Sequence, residues 1–338
     1  MSTPLKIAIA GATGVVGTEM LTVLAESKLP VAEMSLLASQ DSAGEIYKFR
    51  DQECTVQELG QDSFDGVHIA LFATGADLSA KFVPAAIEAG AWAIDNSSCF
   101  RMDAAVPLVV PEVNASAISP NQRIIANPNC STIQLVPVLK VINETAGLKR
   151  VVVSTYQSVS GAGKAAMDEL WSQTLSIFNQ RELQFEAFRH QIAFNCIPQI
   201  DLVMENGYTK EEFKVINESR KILGLPNLRV TATAVRVPVF VGHAESVNVE
   251  TEREISPEQL CDLLNKCEWA EVYPDNSEYP MQLDVAQTDA IHVGRIRRDE
   301  SVQHGLNLWV VADNVRKGAA LNAVQIAEYV YEQFLKKA

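Results

Sequence analysis

The most constraining feature of this sequence is a short glycine-rich loop directly after its first predicted strand. The apolar run LKIAIA at residues 5–10 is followed by Gly11, Gly14 and Gly17, and an amphipathic helix is predicted over Val15–Ser27. Glycines permit a tight turn and a close approach to a pyrophosphate, which then lies at the helix N-terminus. The order strand, loop, helix predicts a dinucleotide site; a turn that only packs helix on strand is the alternative.

Strand and helix patterns alternate from Leu5 to about Asn127. Strands are predicted in MSLLAS, VHIALFAT and AWAIDNS, with a helix over Leu78–Ala89. Strands that are apolar on both faces belong to a parallel sheet covered by helices. The later strands RVVVSTYQSV, LRVTATAVRVPVF, AESVNVETE and LNLWVVAD are longer and more polar, which predicts a mixed sheet open on one face.

The last predicted helix, from about Lys317 to Leu335, again has the character of the first section. The predicted fold class is therefore α/β, with a Rossmann-like dinucleotide-binding domain of residues 1–128 and 316–338. A second, α+β domain with the mixed sheet is expected over residues 129–315.

Composition excludes several classes of protein. The net charge of -14 argues against nucleic acid or an anionic membrane as a partner, so any phosphate site must be a local basic pocket. No apolar run approaches the ~20 residues that span a bilayer, and the start of the chain has no signal-peptide pattern. The six cysteines form no CxxC pair and no metal-like cluster. We expect a cytoplasmic protein with reduced thiols and no bound metal.

Cys130 follows an Asn-Pro-Asn turn and precedes a predicted helix that begins near Ser131 or Thr132. Unpaired N–H groups and the helix dipole lower the pKa of a thiol, and the thiolate is the nucleophile. A small buried residue at a helix cap is the alternative interpretation. Pro137 is expected to kink or shorten this helix.

The loop after the second strand bears on the choice of cofactor. An acidic residue here usually binds the ribose hydroxyls of NAD, whereas an arginine accommodates the 2′-phosphate of NADP. Asp41 is acidic, although Ser39 and Ser42 offer hydrogen bonds to a phosphate. A solvent-facing Asp41 without any contact to cofactor is the other interpretation.

Seven segments together resemble the aspartate-semialdehyde dehydrogenase family, in the family's order and over nearly the whole chain. They are GATGVVG, DNSSCFRMDAAVPLVVPEVN, NPNCST, TYQSVSGAGK, QIAFNCIPQID, RVPVFVGHAE and WVVADNVRKGAALNAVQIAE. The likeness is greatest to the branch typical of Gram-positive bacteria, which also occurs as a second copy in some Gram-negative ones. The family reduces L-aspartyl 4-phosphate to L-aspartate 4-semialdehyde with NADPH, in the biosynthesis of lysine, threonine and methionine.

The resemblance implies roles for individual residues. Cys130 matches the nucleophile that forms a thioester, His243 the acid/base and Gln157 the side chain that orients the acyl group. The substrate-binding residues that it implies are Arg236 for the α-carboxylate, Glu218 for the ammonium, and Lys221, Arg101 and Asn129 for the phosphate. The cofactor-binding residues are Gly11, Thr13, Gly14, Val15, Val16, Gly17, Ser39, Asp41 and Ser42, with Ser160, Gly161 and Gln325 along the nicotinamide half.

Arg236 and His243 are seven residues apart, an odd spacing that places two side chains on opposite faces of a flat strand. Pro238 and Gly242 between them predict a bend or bulge that would reunite them. The family usually dimerises through its second sheet, so a homodimer is expected, with a tetramer as the larger alternative.

The sequence departs from the family in the loop that commonly reads Ser-x-Arg-Ser-Ala-Gly-Lys. Asp41 stands where the arginine would be, and Glu45 replaces the lysine. Two cations near a 2′-phosphate have become two anions, so we expect weakened selectivity for NADP and use of NAD as well. Two other functions remain open at this point, namely an N-acetyl-glutamyl-phosphate reductase and a catalytically silent paralogue.

Overall fold

The computed structural model describes residues 4–336; the first three and last two residues of the predicted first domain lie outside this range. The chain divides into two compact units. One comprises the chain up to Asn129 together with the chain from Ala319 onward, and the other is Cys130–Gly318. The predicted boundaries, after residue 128 and before residue 316, differ from these by one and three residues.

The first unit is a Rossmann-like sheet covered by helices. Its elements, numbered in chain order, are β1 (Leu5–Ala10), α1 (Val15–Glu26), β2 (Val31–Ala38), β3 (Ile46–Phe49), β4 (Gln52–Glu58), β5 (Ile69–Phe72), α2 (Ala76–Glu88), β6 (Trp92–Asp95), α3 (Pro111–Asn114), β7 (Ile124–Ala126) and α8 (Asn322–Val330). Two π-helical turns, Arg316–Leu321 and Tyr331–Leu335, flank α8.

The seven strands of this sheet run in the order β3-β4-β2-β1-β5-β6-β7. All neighbours are parallel except β3 and β4, which form an antiparallel pair at the edge. Along β1, Ile7 and Ile9 join the core that contains Met20 of α1 and Val324 of α8, whereas Ala8 lies in the opposite core. Both faces are therefore buried, as the apolar strand pattern predicts.

The second unit contains a mixed sheet. Its elements are α4 (Cys130–Ala146), β8 (Leu148–Gln157), α5 (Lys164–Phe178), α6 (Lys210–Leu223), β9 (Arg229–Arg236), β10 (His243–Thr251), α7 (Pro257–Leu264), β11 (Ala270–Val272), β12 (Ile291–Arg298) and β13 (Gly305–Ala312). The six strands run β11-β12-β13-β10-β8-β9, with parallel pairs only at the two ends of the sheet.

One face of this sheet is a hydrophobic core, and the other, the open face, is partly exposed. Leu135 of α4 and Val215 of α6 pack with Val151 and Val247 of the central strands. On the other face, Tyr156 is 37% exposed and its ring centroid lies 5.3 Å from that of Trp309. The predicted fold class, with a mixed sheet in the second unit, is confirmed.

Candidate active site

Cys130 is the first residue of α4, so the helix begins one or two residues earlier than predicted. The helix is 17 residues long and continues through Pro137 to Ala146, so the proline does not shorten it. The first turn contains no acidic residue that would oppose a thiolate. A Cβ on Gly318 would lie 3.1 Å from the Cβ of Cys130, which explains why a residue without a side chain stands there.

Three predicted site residues form a row across three adjacent strands. Gln157 of β8 is in register with Arg236 of β9 on one side and with His243 of β10 on the other. Side chains at paired positions project from the same face of a sheet. Arg236 and His243 belong to two strands joined by a turn in which Gly242 has φ +93°, so the predicted bend is confirmed.

Gln157 connects this row to the helices. Its Nε2 donates to Ser131 Oγ at 3.1 Å and to Glu211 Oε1 at 3.2 Å. Ser131 is the residue after Cys130 on α4, and Glu211 lies on α6. The amide is therefore held between the start of the cysteine helix and a buried carboxylate.

The roles predicted for Glu218 and Lys221 remain predictions, and the structure offers a second pair for them. The pair next to Gln157 is Glu211 and Lys214, whose side chains are joined at 3.1 Å. Glu218 and Lys221 stand seven residues further along α6, which is about two turns or roughly 10 Å.

The helix contains the same Glu-x-x-Lys spacing twice, and seven residues bring the two copies to nearly the same face. The sequence pattern cannot distinguish them; only the docking of α6 against β8 and β9 does. Lys214 is also paired with Asp201 at 2.9 Å. Burial alone would lower the pKa of Lys214, but the Glu211 and Asp201 carboxylates raise it above its ordinary value.

His243 is completely buried, and its two ring nitrogens have different surroundings. Nδ1 accepts the backbone N–H of Ser158 at 3.1 Å and lies 3.1 Å from the Ser158 hydroxyl. Nε2 has no hydrogen-bond partner among residues 4–336. Burial, with the positive charge of Arg236, lowers the pKa of His243 to about 3, so the ring is neutral near pH 7.

Arg236 is 5% exposed and its Nη1 donates to the Ser158 carbonyl at 2.6 Å. Burial lowers the pKa of its guanidinium, while the charges of Glu211 and Cys130 raise it. A Cβ on Gly161 would come within 3.1 Å of both Arg236 Nη1 and His243 Nε2. Gly161 therefore keeps open the space that these two nitrogens face.

Sequence reasoning missed Glu245 and Asn314. Glu245 is fully buried two residues after His243, on the same face of β10. Asn314 Oδ1 accepts hydrogen bonds from Ser158 Oγ, Ser160 Oγ and the Gly242 N–H at 3.0, 3.2 and 2.9 Å. Glu245 lies in the quoted motif RVPVFVGHAE, where an acidic residue in an apolar strand pattern was the available signal.

In the first unit, the glycine loop has the geometry of a phosphate cradle. Gly11 has φ +82°, and a Cβ there would lie 2.6 Å from the Ala73 carbonyl. A Cβ on Gly17 would lie 2.1 Å from the Gly11 carbonyl, so neither glycine is replaceable. Gly14 caps α1 without a side-chain hydrogen bond, which leaves the first-turn N–H groups, including those of Val15 and Val16, to an anion.

The cofactor-selecting loop is a short 3₁₀ turn, Gln40–Ser42, capped by Ser39. Asp41 is exposed, and Ser42 Oγ lies 3.4 Å from Thr13 Oγ1 of the glycine loop. The Tyr47 hydroxyl donates to Glu45 at 3.0 Å. The serines and Asp41 thus stand at the same edge of the sheet as the phosphate cradle.

Three further predicted residues lie in the first unit. Arg101 is 7% exposed and donates to the Asn96 carbonyl at 2.7 Å, Asn129 is 6% exposed, and Gln325 is half-buried on α8. Their assignment to phosphate and nicotinamide remains a prediction.

Comparison with known proteins decides the family. Models of the semialdehyde dehydrogenase NAD-binding and dimerisation domains match residues 6–120 and 135–317. The chain is 52% identical to aspartate-semialdehyde dehydrogenase 2 of Vibrio cholerae, covering 99% of this chain and 100% of that protein. This chain belongs to the aspartate-semialdehyde dehydrogenase family.

Solved structures of the aspartate-semialdehyde dehydrogenase family agree. The fold matches the V. cholerae enzyme II complexed with ASA at a TM-score of 0.96 and 51% identity, covering 99% of this chain and all of the other. It matches the Candida albicans enzyme with NADP at a TM-score of 0.74 and 25% identity, covering 97% and 98% of the two chains. As a member of the family the protein is an oxidoreductase. Among residues 4–336 no helix is both long and apolar enough to cross a membrane.

Proposed function

We propose that the enzyme reduces L-aspartyl 4-phosphate to L-aspartate 4-semialdehyde through a thioester on Cys130, and catalyses the reverse reaction with inorganic phosphate. The observation that carries this proposal is the in-register row of Arg236, Gln157 and His243, connected through Ser131 to the start of the Cys130 helix. These residues supply a carboxylate clamp, an acyl-orienting amide and an imidazole beside one cysteine.

The chain's own residues divide the reaction into two steps. The Cys130 thiolate adds to the acyl carbon, and phosphate leaves with the electron pair of the broken C–O bond and takes up a proton, which gives the thioester and inorganic phosphate. NADPH, when bound, would supply a hydride to the thioester carbon. The C–S bond then breaks, the thiolate is regenerated and the aldehyde departs. Gln157 orients the acyl group, and Arg236 holds the α-carboxylate with two parallel hydrogen bonds.

The remaining polar groups fit the two charged ends of the substrate. We assign the ammonium to Glu211, whose buried carboxylate stands next to Gln157. Lys214 takes the phosphate-binding role, together with Arg101 and Asn129. A free ammonium requires an anionic partner, so the buried Glu211 favours aspartyl phosphate over an N-acylated substrate.

NADP is the proposed cofactor, with NAD also accepted. The crowded glycines and the uncapped start of α1 fit the pyrophosphate of either dinucleotide. Ser39 and Ser42 can donate hydrogen bonds to a 2′-phosphate, whereas Asp41 and Glu45 repel it. The two carboxylates therefore reduce the advantage that NADP has over NAD.

The decisive experiment is oxidation of aspartate semialdehyde, followed by the appearance of reduced cofactor, with and without phosphate. We expect activity that requires phosphate, is abolished in Cys130→Ala and persists in Cys196→Ala, a control at an exposed cysteine. A folded wild-type enzyme that is inactive with both cofactors would instead indicate a silent paralogue.

Cofactor choice is tested with NADP and NAD in parallel. In the wild type we expect the values of kcat/KM for NAD and for NADP to differ by no more than about tenfold. Asp41→Arg/Glu45→Lys should raise kcat/KM for NADP by about tenfold or more, because each change replaces repulsion of the 2′-phosphate by attraction. A strong wild-type preference for NADP would contradict this proposal.

We further propose a cytoplasmic homodimer formed through the open face of the second sheet, with a tetramer as the larger alternative. The matched dimerisation model covers that sheet. The proposed branch is the Gram-positive type, and the number 2 in the name of the V. cholerae relative is what a second copy would carry. The proposed metabolic role is the biosynthesis of lysine, threonine and methionine.

A further inference from the structure

We propose that the backbone N–H of Ser158 holds His243 as the neutral tautomer with its proton on Nε2. In that state the imidazole donates a hydrogen bond to the acyl oxygen and is not the base that ionises Cys130. This inference rests on the reaction proposed above and specifies what one side chain does in it.

The backbone N–H of Ser158 donates a hydrogen bond to His243 Nδ1 at 3.1 Å. A backbone N–H can only donate, so Nδ1 must offer a lone pair. A neutral imidazole carries one N–H, which is then on Nε2. A charged imidazolium would direct a second N–H against that of Ser158.

Asn314 fixes the Ser158 end of this arrangement. Its Oδ1 receives Ser158 Oγ at 3.0 Å and the Gly242 N–H at 2.9 Å, and its Nδ2 donates to Ser160 Oγ at 2.9 Å. The Ser158 hydroxyl directs its hydrogen at Asn314. The backbone N–H of Ser158 is therefore the donor to His243 Nδ1. Asn314 and Ser158 are positioning residues for His243.

The charged groups around the ring also favour its neutral form. His243 has no solvent exposure, and the Arg236 guanidinium shares with Nε2 the space in front of Gly161. Glu211 of α6 would favour a charged ring, but Lys214 already neutralises it. Glu245 on the same face of β10 is buried as well, and burial raises the pKa of that carboxyl group.

The chemistry of both steps needs a donor and no base at this position. Addition of the Cys130 thiolate to the acyl carbon places a negative charge on the acyl oxygen, and departure of phosphate removes it. Reduction of the thioester again gives an oxyanion, which collapses to aldehyde and thiolate. Neither collapse places a proton on the acyl oxygen, and the one proton that the overall reaction consumes is taken up by the departing phosphate. A fixed N–H aimed at the acyl oxygen therefore suffices there, as a neutral imidazole does in other enzymes.

Nitrogen NMR of protein labelled with ¹⁵N-histidine tests the tautomer directly, without substrate or cofactor. The His243 signals are identified by their loss in His243→Gln, and the other four histidines serve as internal references. We expect a protonated Nε2 and an unprotonated Nδ1 from pH 8 down to about pH 5. A protonated Nδ1, or a charged ring, overturns the proposal. Ser158→Ala keeps the backbone N–H and should retain the tautomer; a flip in this variant would transfer the role to the hydroxyl.

The rate at which iodoacetamide alkylates Cys130, again measured without substrate, distinguishes a His243 that donates a hydrogen bond from a His243 that acts as a base. We expect His243→Gln to change the alkylation rate by less than about threefold at every pH, yet to lower kcat by about 100-fold or more. If the wild type instead contained an imidazolium–thiolate pair, Cys130 of the His243→Gln variant would lose its reactivity towards iodoacetamide at low pH. Should the enzyme fail to oxidise aspartate semialdehyde, the NMR result still decides the tautomer; should the tautomer be wrong, the proposed reaction can still stand.

Discussion

Glu245 is a carboxyl group enclosed between β10 and α4. Burial raises its pKa well above the ordinary value, and the neighbouring side chains of Gln134 and Ser131 lower it only in part. Gln134 in turn donates to the His243 carbonyl at 3.3 Å, and Ser131 receives Gln157. A protonated Glu245 therefore lies among the polar groups that contact His243 and Gln157.

We predict that Glu245→Gln stabilises the protein increasingly as the pH rises. The folded state retains a proton that the unfolded chain releases near its ordinary pKa, so the wild type loses about 1.4 kcal/mol per pH unit between the unfolded and folded pKa values. Glutamine carries no such proton and should not show this slope. Urea unfolding at pH 5.5 and 7.5 measures the difference. Glu58→Gln, at an exposed site, is the control, and identical slopes for wild type and Glu245→Gln would contradict the prediction.

Gly161→Ala is predicted to reduce activity without unfolding the protein. The backbone of Gly161 is not in the left-handed region, so the added methyl group acts only by its contact with Arg236 and His243 at 3.1 Å. A displacement of such groups by even a few tenths of an ångström should lower kcat/KM by about tenfold or more. Gly60→Ala, where a Cβ meets nothing closer than 3.8 Å, should remain fully active in the same assay.

At the scale of elements, α6 carries Glu211 and Lys214 and is fixed at its start by a capping box. Thr209 accepts the Glu212 N–H at 3.2 Å, and Glu212 accepts the Thr209 N–H at 2.7 Å. The same carboxylate accepts the Ala234 N–H of β9 at 3.0 Å. The cap therefore also ties the helix to the sheet that positions Arg236.

Thr209→Ala should cost about 1 kcal/mol in the free energy of unfolding and also raise the KM for aspartate semialdehyde. Ser256→Ala removes the equivalent capping box from α7, away from the proposed substrate residues, and should cost similar stability with KM unchanged. Urea unfolding and steady-state kinetics on both variants provide the comparison. Equal KM values for the two variants would show that the α6 cap has no role in substrate binding.

Sequence patterns predicted elements that carry their own local signal. The strand–glycine–helix order located β1, the phosphate cradle and α1, and the Asn-Pro-Asn turn located the start of α4 to within two residues. They failed where the deciding contact is distant in sequence. The repeated Glu-x-x-Lys spacing of α6 hid Glu211, and the short β3–β4 hairpin is too polar at the sheet edge to be visible as strand.

At the scale of the whole molecule, the open face of the second sheet presents aromatic rings and a cavity of about 510 Å³ lined in part by Trp309, Tyr279 and Arg295. An apolar face of this kind is expected to be covered by a second copy of the chain. The rings of Tyr156 and Trp309 pack against each other on this face.

We predict that the wild type elutes at about twice its chain mass of 37.0 kDa or more in light scattering. Trp309→Asp should convert it to monomer, because a buried carboxylate without a partner is costly at an interface. Ile46→Asp, at a residue 63% exposed in the first unit, should leave the mass unchanged. A monomeric wild type would contradict a dimer through this face.

The first unit is assembled from two distant parts of the chain, since Val324, Ile326, Ala327 and Val330 of α8 complete the core around β1. On the ribosome, its first 129 residues emerge long before this closing helix is made. The apolar surface that α8 covers in the finished unit stays exposed while the whole intervening unit is synthesised. Nascent chains should therefore depend on chaperones until α8 has emerged from the ribosome, and the emergence of this helix permits the unit to fold.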